Sequence, residues 1–138
     1  MTHLHDIFER GGITHIRVIG ETERELFQNA LLGLAALVRP DVAPIQGTTV
    51  KVRAHVHGGT WTETLEKFLL HVIFENEMHN AVFSAMHIIH LSPQEIECEL
   101  IGKTVEQVEE DILHVGIGAK GIERIGDYLE VEFVPVFS

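Results

Sequence analysis

The sequence predicts an α+β fold, a two-layer sandwich of a mixed or antiparallel sheet with two or three helices. Several short stretches alternate apolar and polar residues, the period-two signature of half-buried strands. Two longer stretches between them repeat apolar residues at helical spacing. Each helical stretch opens on a threonine followed three residues later by glutamate, the capping-box pattern of a helix start. The resulting order, βαβαβββ with helices separated by sheet segments, is that of an α+β sandwich.

Ile13 to Ile19 alternates as a strand with Thr14, Ile16 and Val18 on one face, and Gly20 turns the chain. Thr22 and Glu25 then make a capping box, because hydroxyl and carboxylate satisfy amides that lack partners in a first helical turn. The helix runs from about Glu23 to Val38, with Leu26, Phe27, Ala30, Leu31, Leu34 and Val38 inward, and Pro40 ends it. Thr48 to His57 is a second strand, with Val50, Val52, Ala54 and Val56 on one face and Lys51, Arg53, His55 and His57 on the other. Gly58-Gly59 turns, Thr60 and Glu63 cap, and a helix from about Trp61 to Glu75 turns Leu65, Phe68, Leu69, Val72 and Ile73 inward. Ala81 to Leu91 and Gln94 to Ile101 form a hairpin across a tight Ser92-Pro93 turn. Thr104 with Gln107, followed by Val105, Val108 and Ile112 at helical spacing, suggests a third helix, with Glu106, Glu109, Glu110 and Asp111 on its solvated face. Glycines from Gly116 to Gly121 mark a bend or bulge, and Tyr128 to Val136 closes the chain as a strand that Pro135 assigns to an edge.

The 138 residues, 45% of them apolar and with no Pro/Gly/Ser linker, are expected to form one domain over 1–138. No apolar run reaches the roughly 18 residues of a membrane span, and the first residues lack the basic and apolar regions of a signal peptide, so a cytoplasmic protein is expected. Cys98, the single cysteine, excludes an internal disulfide and a cysteine-rich zinc site; alternating with Ile96 and Leu100, it reads as a small buried hydrophobe. Ten Lys+Arg against 21 Asp+Glu give a net charge of -11, without the clustered cations that neutralise phosphates. Direct nucleic-acid binding is not expected; a protein partner, a cation or a basic patch on an enzyme suits this surface better.

Ten histidines offer the remaining chemistry. His55 and His57 lie two apart on one strand face, a spacing that can place two imidazoles on one metal ion. His3, His5 and Asp6 form a second small cluster, near a terminus where chains are commonly mobile. His87 and His90, three apart in a strand, are expected on opposite faces. A histidine-based, metal- or pH-responsive binding protein is therefore the alternative reading. No nucleophile, base and orienting group assemble from the sequence, so an enzyme is not expected.

Gly20 to Leu34, GETERELFQNALLGL, resembles the archease signature G-x-T-x-x-E-L-F-x-N-A-A-x-G-L at Gly20, Thr22, Glu25, Leu26, Phe27, Asn29, Ala30, Gly33 and Leu34. Thr64 to Phe74 is similar to the leucine-rich helix of that family, with Phe68 at its usual tryptophan and His71 at its usual glutamate. Val82 to Ser84 resembles the start of its next strand, and Gly116 to Val136 is similar in spacing to its closing block. The resemblance implies an archease-like α+β shell and an accessory role at the metal-dependent site of an RtcB-type tRNA-splicing RNA ligase.

It also implies a divalent metal held by the aspartate of a His-Thr-Ala-Asp element and by a C-terminal aspartate. Registered on Gly20, that element falls on Arg10, Gly11, Gly12 and Ile13, so Ile13 occupies the aspartate position. Pro135 occupies the second aspartate position, and Lys120 that of a family histidine. The expectation is a chain without that metal or any other cofactor. Arg10, Gly11, Gly12 and Lys120 then mark a candidate anion-friendly pocket at the vacated site. The partner's identity and the oligomeric state stay open, since a closing edge strand could pair with a neighbouring copy.

Overall fold

The computed structural model describes residues 4–38, 47–105 and 112–137. His3, Pro40, Asp41 and the acidic stretch from Glu106 to Asp111 lie outside them, as does most of the expected third helix.

Strands β1 (His5–Arg10) and β2 (Ile13–Gly20) precede helix α1 (Glu23–Val38); β3 (Thr49–His57) precedes helix α2 (Trp61–His79). Then come β4 (Ala81–Ser92), β5 (Glu95–Thr104), β6 (Ile112–Ile117), β7 (Glu123–Ile125) and β8 (Tyr128–Phe137). The α+β class holds, but the strands divide into two sheets instead of one. The larger has the order β1-β2-β8-β6 with β7 also on β8, and the smaller is β3-β5-β4. Every pairing is antiparallel. Each helix touches both sheets: α1 packs on β2 and β4, and α2 on β3 and β6. No helix among the described residues is long and apolar enough to cross a membrane.

The core follows the sequence periods. Ile16 and Val18 of β2, Leu26, Phe27, Ala30 and Leu34 of α1, Leu65, Phe68 and Leu69 of α2, and Ile96, Cys98 and Leu100 of β5 are all fully buried. Phe27 joins the two helices, its ring 5.9 Å from Phe68 and 6.1 Å from Trp61 between centroids.

Both threonines cap their helices as expected, and at the first the glutamate carboxylate also reaches back to the backbone. Thr22 Oγ1 accepts from the Glu25 amide at 3.2 Å, and Glu25 Oε2 accepts from the Glu21 amide at 2.8 Å. Thr60 Oγ1 accepts from the Glu63 amide at 3.1 Å. Asn29, buried in α1, donates to the Ile19 carbonyl at 2.8 Å and so ties the helix to the end of β2. Gly20 is required by close approach: a Cβ there would lie 2.6 Å from the Leu26 amide nitrogen.

Three local expectations change. Pro135 is not in an edge strand, because β8 lies between β2 and β6. Proline is tolerated there because the ladder to β2 ends at Ile16–Phe133, leaving Pro135 opposite Val115 of β6 only. Along β8, the flank toward β2 is open to a neighbouring copy only beyond Phe133, where that ladder has ended. Thr104, expected to cap a helix, is still in β5, where its hydroxyl accepts from the Thr48 amide at 2.9 Å. Ile112, expected at the end of that helix, opens β6.

The third change concerns the N-terminal residues. Arg10 pairs with Ile13 across Gly11-Gly12, whose φ values of 59° and 81° make this a tight hairpin turn with both central residues left-handed. The segment before it is β1, an edge strand that places His5 and Asp6 in a sheet.

Candidate functional site

Two groups of residues bear on function, one at the hairpin end of the larger sheet and one on the outer face of the smaller.

At the first, Ile13 closes the hairpin with its side chain 54% exposed, and Pro135 faces Val115. Hydrocarbon and pyrrolidine offer no oxygen, so these positions do not fit the divalent ion that the family resemblance implies. Glu132 is engaged otherwise: His15 Nδ1 donates to its Oε1 at 2.7 Å, and Arg10 reaches the same oxygen at 3.4 Å. Arg10 is thus turned toward an acid. Lys120 lies in a separate turn, closed by the Gly121 amide donating to the Gly118 carbonyl at 2.9 Å and held to α2 where the Ile122 amide donates to Thr62 Oγ1. Of the N-terminal cluster, Asp6 pairs with Arg17 at 3.2 Å, while His5 Nδ1 is buried with no hydrogen-bond partner among the described residues. His5 and Asp6 share a cleft of about 390 Å³ with Arg17, Ile19, Tyr128 and Glu130.

The second group grows from strand register. In β3 the core side takes Ala54 and Val56, so Arg53, His55 and His57 project outward. In β5 the core side takes Ile96, Cys98 and Leu100, so Glu95, Glu97 and Glu99 project outward. The two strands pair Arg53 with Glu99, His55 with Glu97 and His57 with Glu95.

On the other flank, β4 carries a bulge. Ile88 pairs with Cys98 and His90 with Glu97, so Ile89 is an extra residue in the ladder. A bulge places two residues of one strand against one of its partner and shifts the facing of all that follow. His87 and His90, expected on opposite faces, therefore lie opposite Glu99 and Glu97 on the same outer face.

The side chains reach diagonally across this face, as the twist of paired strands allows. His55 Nε2 donates to Glu95 Oε2 at 2.8 Å, and His57 Nδ1 lies 3.7 Å from the same oxygen. His90 Nε2 approaches the other oxygen, Oε1, at 3.1 Å from the opposite strand. Arg53 pairs with Glu97 at 2.9 Å. The rings of His55 and His57 are 4.5 Å apart, and one donor atom each from His55, His57 and Glu95 lie within 4.8 Å of one another. The His55 hydrogen bond, with the positive charge that His90, His55 and His57 can carry, holds the Glu95 carboxyl below its ordinary value.

His55 and His57 were legible from their spacing. Glu95 and His90 were not, because one depends on register between distant strands and the other on a bulge. Cys98, on the reverse side of β5, is buried, which pushes its thiol up to about 12 and removes it as a nucleophile at neutral pH.

A family model described as the Archease protein family (MTH1598/TM1083) matches residues 13–122. The solution structure of Methanobacterium thermoautotrophicum protein 1598 is similar at a TM-score of 0.70 and 13% identity, covering 96% of this chain and 99% of that one. The crystal structure of an archease from Thermotoga maritima, described as a possible chaperone, is similar at a TM-score of 0.62 and 14% identity, covering 98% of each chain. At such identities these two likenesses speak for the fold alone. A comparison with curated protein sequences finds no match.

Proposed function

This chain belongs to the archease family, and from that premise we propose that it is a non-enzymatic, chaperone-like accessory protein of the cytoplasm that acts through a protein partner. Following the family resemblance, the partner is an RtcB-type tRNA-splicing RNA ligase, and the role is to promote its guanylylation and turnover without the family's metal. The observation that carries the reading is the family match over residues 13–122, whose most specific stretch, Gly20 to Leu34, has each shared residue in a structural position. The acidic balance of the chain favours a basic surface on the partner. Ile13 and Pro135 support the metal-free part, since neither side chain can serve as an oxygen ligand.

The test is to mix the purified chain with such a ligase and follow complex formation by calorimetry and ligase guanylylation by radiolabelled GTP. Binding with faster guanylylation that withstands Ile13→Ala is the expected result. Absence of both binding and acceleration overturns the proposal, and acceleration abolished by Ile13→Ala overturns the part assigned to the hairpin end.

A further inference from the structure

We propose that the outer face of the smaller sheet is a transition-metal site, with His55, His57 and Glu95 as ligands and His90 as the residue that positions Glu95. It uses neither the hairpin end nor the partner role proposed above, and it stands on the geometry of β3, β4 and β5.

The donor set selects the ion. Two imidazoles and one carboxylate suit Zn²⁺, Ni²⁺ or Cu²⁺, whereas Ca²⁺ and Mg²⁺ demand shells of oxygen. The spacing also fits. With metal–nitrogen bonds of roughly 2.0 Å, tetrahedral ligand atoms lie about 3.3 Å apart. Here the separations from Glu95 Oε2 are 2.8 Å to His55 and 3.7 Å to His57. All three donor atoms already lie within 4.8 Å of one another, so rotamer adjustment brings them onto one ion without moving a strand.

The core beneath fixes the face that each ligand takes. His55 and His57 alternate with Ala54 and Val56, which are buried, and Glu95 precedes Ile96, which is fully buried. None of the three can change faces without expelling a core residue.

His90 supplies what a ligating carboxylate ordinarily has, a hydrogen bond that fixes its orientation. It reaches Glu95 Oε1 at 3.1 Å, leaving Oε2 to face the two imidazoles. The bulge at Ile89 puts His90 on this face, so it belongs to the same construction. The three ligand side chains are 47%, 68% and 30% exposed, in the order His55, His57 and Glu95, so a fourth position faces solvent and is free for water or for a donor from another molecule.

The experiment is calorimetric titration of the tag-free chain with ZnCl₂ and with NiCl₂ at neutral pH, alongside NMR spectra during the Ni²⁺ titration. One ion per chain is expected, with paramagnetic broadening centred on residues 55, 57, 90 and 95. His55→Ala/His57→Ala should abolish binding, and Glu95→Gln should weaken it severely. His90→Ala should lower affinity about 10–100-fold, the usual cost of removing an outer-shell partner. His114→Ala, which alters an exposed histidine of β6, should leave it unchanged, and CaCl₂ should produce no shifts at these residues. Three results overturn the proposal: no saturable Zn²⁺ or Ni²⁺ binding, binding undiminished in His55→Ala/His57→Ala, or broadening centred elsewhere. Melting curves of each variant separate lost ligation from lost folding.

Discussion

Between Gly20 and Leu34, each residue shared with the family pattern is buried or closes the start of α1. Across β3, β5 and β4, by contrast, the outward residues include His55, His57, His87, His90, Glu95, Glu97, Glu99 and Arg53. The first region repeats a scaffold; the second displays donor atoms that a scaffold does not require. A signature can thus report how a chain folds while the polar chemistry most open to solvent lies on another element.

That contrast is broken most forcefully at Phe27. Its ring meets both Trp61 and Phe68 in the core, so Phe27→Ala should cost about 3–5 kcal/mol, read as a fall in the urea midpoint. A midpoint near that of the parent chain would remove the structural explanation of the signature. Asn29→Ala is the next largest. It leaves the Ile19 carbonyl without its donor, and a loss of about 1–3 kcal/mol is expected, with α1 still formed by circular dichroism.

Glu95→Gln should have the smallest effect and the most particular one. The folded carboxyl is held below its ordinary value of 4.5 by His55, His90 and His57. Its contribution to stability is therefore present above that value and is lost as pH falls through the depressed one. Melting temperatures of parent and Glu95→Gln should differ at pH 6 and converge under strong acid; a difference constant across that range would mean the histidines do not act on this carboxyl.

Elements whose apolar residues keep one period against a core were legible in the sequence: β2, α1, β3, α2, β4, β5 and β8. Within them, both threonine caps and the two faces of β3 follow from local rules. β1 was missed because an edge strand buries little, and HDIFER shows no clean alternation. β6 and β7 were obscured by the glycines between them. The expectation that Pro135 marks an edge failed because proline reports a missing donor, and that donor is also unused where the ladder to β2 has already ended. Of the histidine face, the i, i+2 pair in β3 was visible, but Glu95 lies 40 residues beyond His55 and only register joins them.

The extra residue at Ile89 turns that face into a matter of parity. His87 and His90 are an odd number of steps apart along the chain but an even number across the sheet. Pairing the strand without a bulge, with Ile89 kept in the ladder, would leave composition, charge and overall likeness untouched, while sending one of the two imidazoles toward the hydrophobic layer. A chain that keeps both histidines and loses the bulge would look the same to a comparison of residue types. To find relatives with the same face, one should compare how the strand pairs between Ile88 and Leu91 before comparing which residues it carries.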